Sequence, residues 1–256
     1  MRTNFQILVL LIICYSCSRE NIVNPKNCEE LKANGVIDSF PYPIRPGSDE
    51  WKNLKTQVEK YEVLNVPEDV LQNMCTHGLV YTCVYCPFFF QLTVFNNIRS
   101  GFISLTNNIN SYAELTDRYD SGQELFDYYK TLFDTTWNCI KQIGYQVQIL
   151  HSEIFFAQQE YLSKLTNQEL KEVLIEIYNK LLEKETHNLD KYCINGSLYL
   201  LSNILYYNMH YKPLIDFIDR NNLIYFLNDL MLFNFNTDPT DSLKYYSVKY
   251  IQEFIQ

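Results

Sequence analysis

Apolar residues recur along this chain every three to four positions, the spacing that gathers them on one face of a helix. The clearest case follows Thr166-Asn167-Gln168-Glu169, a capping-box pattern. It introduces Leu170, Val173, Leu174, Ile177, Leu181 and Leu182, and predicts a long amphipathic helix with its Lys and Glu outside. Before it, Ile143, Val147, Leu150, Ile154, Ala157 and Tyr161 form a second stripe. A third, Leu125, Phe126, Tyr129, Leu132 and Phe133, follows two candidate capping boxes, Asp120 with Gln123 and Ser121 with Glu124. Ser48 is placed to cap a helix running through Trp51, Leu54, Val58 and Tyr61. Val66-Pro67-Glu68-Asp69 starts the next, with Pro at the first helical position and acids in the first turn. Leu198 to Tyr207 is apolar nearly all round and predicts an interior helix. Pro213 opens a short helix, Asn222 to Phe233 gives another, and Asp238-Pro239 with Asp241 starts a terminal helix carrying Leu243, Tyr246, Tyr250, Ile251 and Phe254.

Residues 70 to 113 hold one charged residue, Arg99, and at first sight resemble a membrane span. Pro87 and the scattered Gln91, Asn96, Asn97, Asn107 and Asn108 break the run into short buried helices, one of them capped by Thr76. Short connections imply antiparallel neighbours, so the expected fold is all-α, an irregular antiparallel helical array of α-α superhelix or solenoid-like form. No exact period of 30 to 50 residues accompanies it. Only seven Gly and eight Pro leave little material for the turns of an all-β fold. Twenty-one Tyr and sixteen Phe must fill the core or form a binding surface. In the pairs Tyr128-Tyr129, Tyr206-Tyr207 and Tyr245-Tyr246 one ring is expected inside and its neighbour about 100 degrees round the helix.

The first seventeen residues have a different character. Arg2, the apolar run Ile7 to Ile13, then Ser16 and Cys17 follow the pattern of an export signal, the run being too short for a permanent span. A small residue just before a cysteine at that point resembles the lipobox of bacterial lipoproteins, with Cys17 as the acylated residue. Residues 1–16 then form the signal peptide, 17–47 an extended, lipid-anchored tether rich in Pro, and 48–256 the helical domain. Cleavage after Ser16 leaves 20 Lys+Arg against 30 Asp+Glu, a formal charge of −10, which argues against nucleic acid, whose phosphates need a basic face.

Tyr42-Pro43, Pro46-Gly47-Ser48 and Trp51, then Val66-Pro67-Glu68-Asp69 with Leu71 and Met74, carry a family resemblance. The chain resembles a group of Bacteroidetes envelope lipoproteins in which a Y-P-x-x-P-G-S/T-x-x-W segment follows the anchor. Leu79, Cys83, Pro87 and Phe95-Asn96-Asn97 extend the likeness over roughly residues 42 to 97. It implies lipidation and a helical fold, and it names no active site; the expected location, from the anchor, is the bacterial cell envelope, with the outer membrane favoured over the inner.

Candidate chemistry is sparse. G-x-S-x-G, H-E-x-x-H, P-loop and dinucleotide-binding patterns are missing. Cys75, His77, Cys83 and Cys86 lie close enough to suggest a metal or redox site, but an apolar setting and the lack of a second ligand half favour buried or disulfide cysteine. Cys28, Cys139 and Cys193 complete the set. His151 beside Glu153, and Glu183 with His187, are placed as core or solvated residues rather than bases or ligands. Asn195-Gly196-Ser197 reads as a turn and helix cap. No cofactor or metal is expected. The expected function is a lipid-anchored, non-catalytic module that binds a peptide, a glycan or an envelope protein. The alternative is a hydrolase whose acid/base pair comes from Glu153 and Glu160, seven apart on one helix face.

Overall fold

The computed structural model describes residues 25–95, 97–132, 143–189, 191–229 and 239–255. The fold is all-α, with helices packed on one another and no strand among the described residues. Its centre is the pair α9 (Ile143–Phe156) and α12 (Lys191–Asn203). Both are apolar on several sides because both are covered on several sides. α11 (Asn167–Thr186) packs along α12, and α15 (Pro239–Ile255) closes over both. On the other flank α8 (Ser121–Thr131) joins α9 to α5 (Thr76–Val84). The 3₁₀ segment Phe89–Thr93 and α6 (Ile98–Asn108) pack together, and the 3₁₀ segment also touches α9. One continuous apolar core runs from Tyr42 to Ile251.

Residues 70–113 form short helices, as expected: α4 (Glu68–Asn73), α5, the 3₁₀ segment, α6 and α7 (Asn110–Asp117). No described helix is long and apolar enough to cross a membrane. The capping box at Thr166 forms, with Thr166 Oγ1 accepting from Glu169 N–H and the Glu169 carboxylate accepting from Thr166 N–H. Ser48 accepts from Trp51 N–H at 3.1 Å. The helix it starts is short, however: α2 (Asp49–Asn53) ends, and Thr56 with Glu59 makes a second box that starts α3 (Gln57–Glu62). Pro67 stands at the N-cap of α4, one position ahead of its expected place.

Other local expectations fail where a distant partner captures the capping group. Asp120 leads α8 without capping it, because its carboxylate accepts from Thr76 Oγ1 at 2.8 Å. Thr76 therefore does not cap α5, whose N-terminal Cys75 N–H donates to Asp38 Oδ2 instead. The stripe from Ile143 to Tyr161 is split, since α9 stops at Phe156 and Tyr161 belongs to α10 (Gln159–Leu162). On α11 the long side chains do not all lie outside: Lys180 and Lys184 are buried, whereas Leu182 is exposed. Tyr128 and Tyr129 are both buried, the one against Tyr81 and the other beside Phe156.

The lead-in is more structured than the extended tether expected over 17–47. α1 (Pro25–Ala33) is helical, and Cys28 is bonded to Cys75. Beyond it, after a turn at 34–35, the chain has no regular secondary structure as far as Tyr42, whose ring enters the core although its φ is +45°. A non-glycine residue holds that conformation only when surroundings fix it. Here Phe40 packs edge-on to the ring at 5.2 Å, and Arg45 donates to the carbonyls of Pro41 and Tyr42.

Candidate functional site

Glu153 sits in the last turn of α9 and Lys184 near the end of α11, and both side chains are 0 % exposed. A buried carboxylate or ammonium is tolerated only when paired and fully hydrogen-bonded. Lys184 Nζ donates to Glu153 Oε1 at 2.7 Å and to Oε2 at 2.8 Å. It also reaches the Cys193 carbonyl and Ser197 Oγ, each at 2.7 Å. Glu153 Oε1 accepts further from Ser197 Oγ at 2.7 Å and from Tyr129 OH at 3.0 Å. Burial and the adjacent carboxylate hold the Tyr129 phenol well above its usual range. Four helices thus meet on one ion pair.

Gly196 explains how α12 comes so close. A Cβ there would collide with Glu153 Oε2 and press on Leu150. The Asn195-Gly196-Ser197 triplet is therefore not a turn or a cap: it lies inside α12 and is buried. Glycine and serine within an otherwise apolar helix were the available signal of a close polar approach. Lys184, Ser197 and Tyr129 could not be singled out without it.

The other candidates are distributed elsewhere. Glu160 is on α10, not on the helix of Glu153, and accepts two bonds from the Arg99 guanidinium at 2.5 and 2.7 Å. Partial burial pushes its carboxyl up, but the arginine outweighs this and holds it below its ordinary value. Each carboxylate of the expected pair is thus tied to its own cation on a different element. His151 is buried against Phe89, with Nε2 2.9 Å from Thr93 Oγ1, and burial lowers its pKa to about 4. His187 is the C-cap of α11, one turn after Glu183.

Cys75 and His77 part company with Cys83 and Cys86. Cys75 forms the disulfide with Cys28. Cys83 and Cys86 are buried free thiols, and burial first of all pushes both pKa values up, which disfavours the thiolate form of each. His77 Nδ1 is 3.4 Å from Glu124 Oε2, in a half-buried charged clasp. There Lys32 of α1 donates to both Glu124 oxygens and to Asp127. No grouping of three or more His, Cys, Asp or Glu suited to a metal occurs among the described residues. Cys17 and Cys139 lie outside the described residues.

Among the exposed side chains are several large aromatic and aliphatic ones. Tyr85, Phe90, Val94 and Phe95 are exposed around the 3₁₀ segment, and Tyr119 and Tyr245 stand out elsewhere. Compared with known proteins, the chain matches no family model, no curated protein and no solved structure.

Proposed function

We propose that this chain is a bacterial envelope protein, held to the outer membrane by a lipid on Cys17, whose helical body binds a partner and performs no catalysis. The observation that carries the non-catalytic part is the closure of the Glu153 cluster. An acid/base residue must reach the proton it moves. Glu153 is sealed from solvent with its oxygens occupied by Lys184, Ser197 and Tyr129. The anchor rests on Arg2, the apolar run Ile7 to Ile13 and Ser16-Cys17. The exposed aromatic side chains supply the contact area that a peptide, glycan or protein partner requires.

Metabolic labelling with a fatty acid tests the anchor: label on the wild type is expected to vanish with Cys17→Ala, and label that persists overturns it. A thermal-unfolding screen against glycans and peptides tests binding. A ligand at a hundred times its Kd stabilises the fold by about 2.7 kcal/mol. Turnover of any glycan or peptide in that screen, abolished by Glu160→Gln, would overturn the non-catalytic reading.

A further inference from the structure

Residues 76 to 98 contain no Asp, Glu, Lys or Arg in a chain one-fifth charged. Most of that segment is core, but its outer edge is not. Tyr85 is 52 %, Phe90 47 %, Val94 65 % and Phe95 41 % exposed. All four lie within eleven residues, on the turn and 3₁₀ segment after α5, and are called the ridge below. Exposed apolar side chains gathered in one place mark a contact surface.

The ridge is not a loose loop. Between its exposed residues, Cys86, Phe88, Phe89 and Leu92 are buried, and Phe89 packs on His151 and Phe155. Gln91 accepts from Tyr61 OH at 3.0 Å, and Thr93 bonds His151. α6 approaches so closely that a Cβ on Gly101 would lie 2.6 Å from the Leu92 carbonyl oxygen. Behind the ridge stands an aromatic collar: Trp51 and Tyr61 each meet Phe88 edge-on at 5.4 Å, and Phe88 meets Phe90 at 6.1 Å. Lys60 Nζ lies 5.9 Å from the Trp51 ring.

We propose that this ridge is a bilayer-contact surface, seated at the boundary of headgroups and acyl chains, which fixes the orientation of the body on its membrane. The proposal rests on the lipid-anchor reading above. Three observations favour a lipid surface over another occupant. An apolar tip followed by Trp and Tyr, then by a lysine whose stem can lie along the surface with its charge in water, is the sequence of chemistries met on entering a bilayer from its interior. The ridge has no charged group of its own to desolvate, and the processed chain, of formal charge −10, has no net attraction to anionic headgroups, so apolar area must carry the contact. Reach also fits. Eight residue steps separate Cys17 from Pro25, about 28 Å when extended. The ten steps from Cys75, bonded to α1, to Tyr85 span about 15 Å of helical rise.

The test uses the full-length protein purified from membranes and reconstituted in phosphatidylcholine vesicles containing a lipid with a photoactivatable diazirine in its acyl chain. Flotation with the vesicles, and the intact mass of the Cys17 peptide, report the anchor. The map of lipid adducts reports the ridge. Adducts concentrated on residues 85–95 are expected, falling several-fold in the double variant Phe90→Ser and Val94→Ser with its melting temperature unchanged. Adducts spread over the body, concentrated elsewhere or undiminished in the double variant overturn the proposal. Absence of adducts at the ridge, as a second copy of the chain covering it would produce, does the same. If Cys17 proves unacylated, the anchor reading fails by itself, and the adduct map with vesicles in excess still decides the ridge.

Discussion

Lys184 illustrates how much one buried cation commits. Removing its partner with Glu153→Ala leaves the ammonium without a counter-charge in a sealed site, and the expected loss is roughly 3–5 kcal/mol by urea denaturation. Replacing both together, Glu153→Gln with Lys184→Met, is expected to cost much less, because no orphaned charge remains. A single-variant loss below about 1 kcal/mol would show that water reaches the pair. His151 sets a pH dependence. Its folded pKa is about 4 against about 6.5 in the unfolded chain, so the unfolded state binds more protons between those values. Stability therefore falls as pH drops from about 6.5 to 4, by roughly 3 kcal/mol, and levels off below for this group. His151→Gln should flatten that slope in denaturation curves measured across the window. Glu124, Asp127 and Glu160 act in the same direction but at lower pH, each held below its ordinary value against the effect of burial by its cationic neighbours. At this scale the sequence was half legible. Glu153 and His151 stood out by type and position, whereas Lys184 looked like its solvated neighbours, because helical phase alone does not say which lysine meets a carboxylate from another helix.

Among the elements, caps whose partners are local were readable and caps whose partners are distant were not. Thr166 with Glu169 forms as read; Asp120 is drawn off by Thr76, 44 residues away, and Asp38 caps α5 across 37 residues. The broken α9–α10 stripe has the same origin, since packing against neighbours overrides a continuous apolar period. The Tyr-Pro segment gains a physical meaning here. Its Tyr42 plugs the core and its Trp51 backs Phe88, so the segment fastens the lead-in at two aromatic points. Tyr42→Ala is expected to cost about 3–5 kcal/mol, as for other large buried side chains. Tyr42→Phe should cost much less, because the buried ring stays and only the hydroxyl's contacts with Ser111, at 3.5 Å, and with Cys86 are lost. Thermal melts of the two variants, differing by less than a few degrees, would refute the plug.

For the whole molecule, the all-α fold and the short buried helices of 70–113 followed from period and composition. The folded lead-in did not, because α1 is nine mostly polar residues held from outside by the Cys28–Cys75 bond and by Lys32 in its acidic clasp. Reducing that bond, or replacing Cys28 with Ser, is expected to lower stability by about 2–4 kcal/mol, the usual range for a disulfide of this kind, read as a lower denaturant midpoint.

The same bond defines a load path. A pull on the chain ahead of Cys28 crosses through sulfur to Cys75 and enters the body at the start of α5. The intervening residues 29–74, though they include four helices or parts of them and are fastened to the core, form a parallel branch that carries no load while the bond is intact. Single-molecule stretching of the reduced protein should therefore release an extra length of roughly 160 Å, at about 3.5 Å per residue, that the oxidised protein withholds. A redox change too small to disturb the core would in this way decide whether the molecule behaves under tension as a stiff link or as a shock absorber.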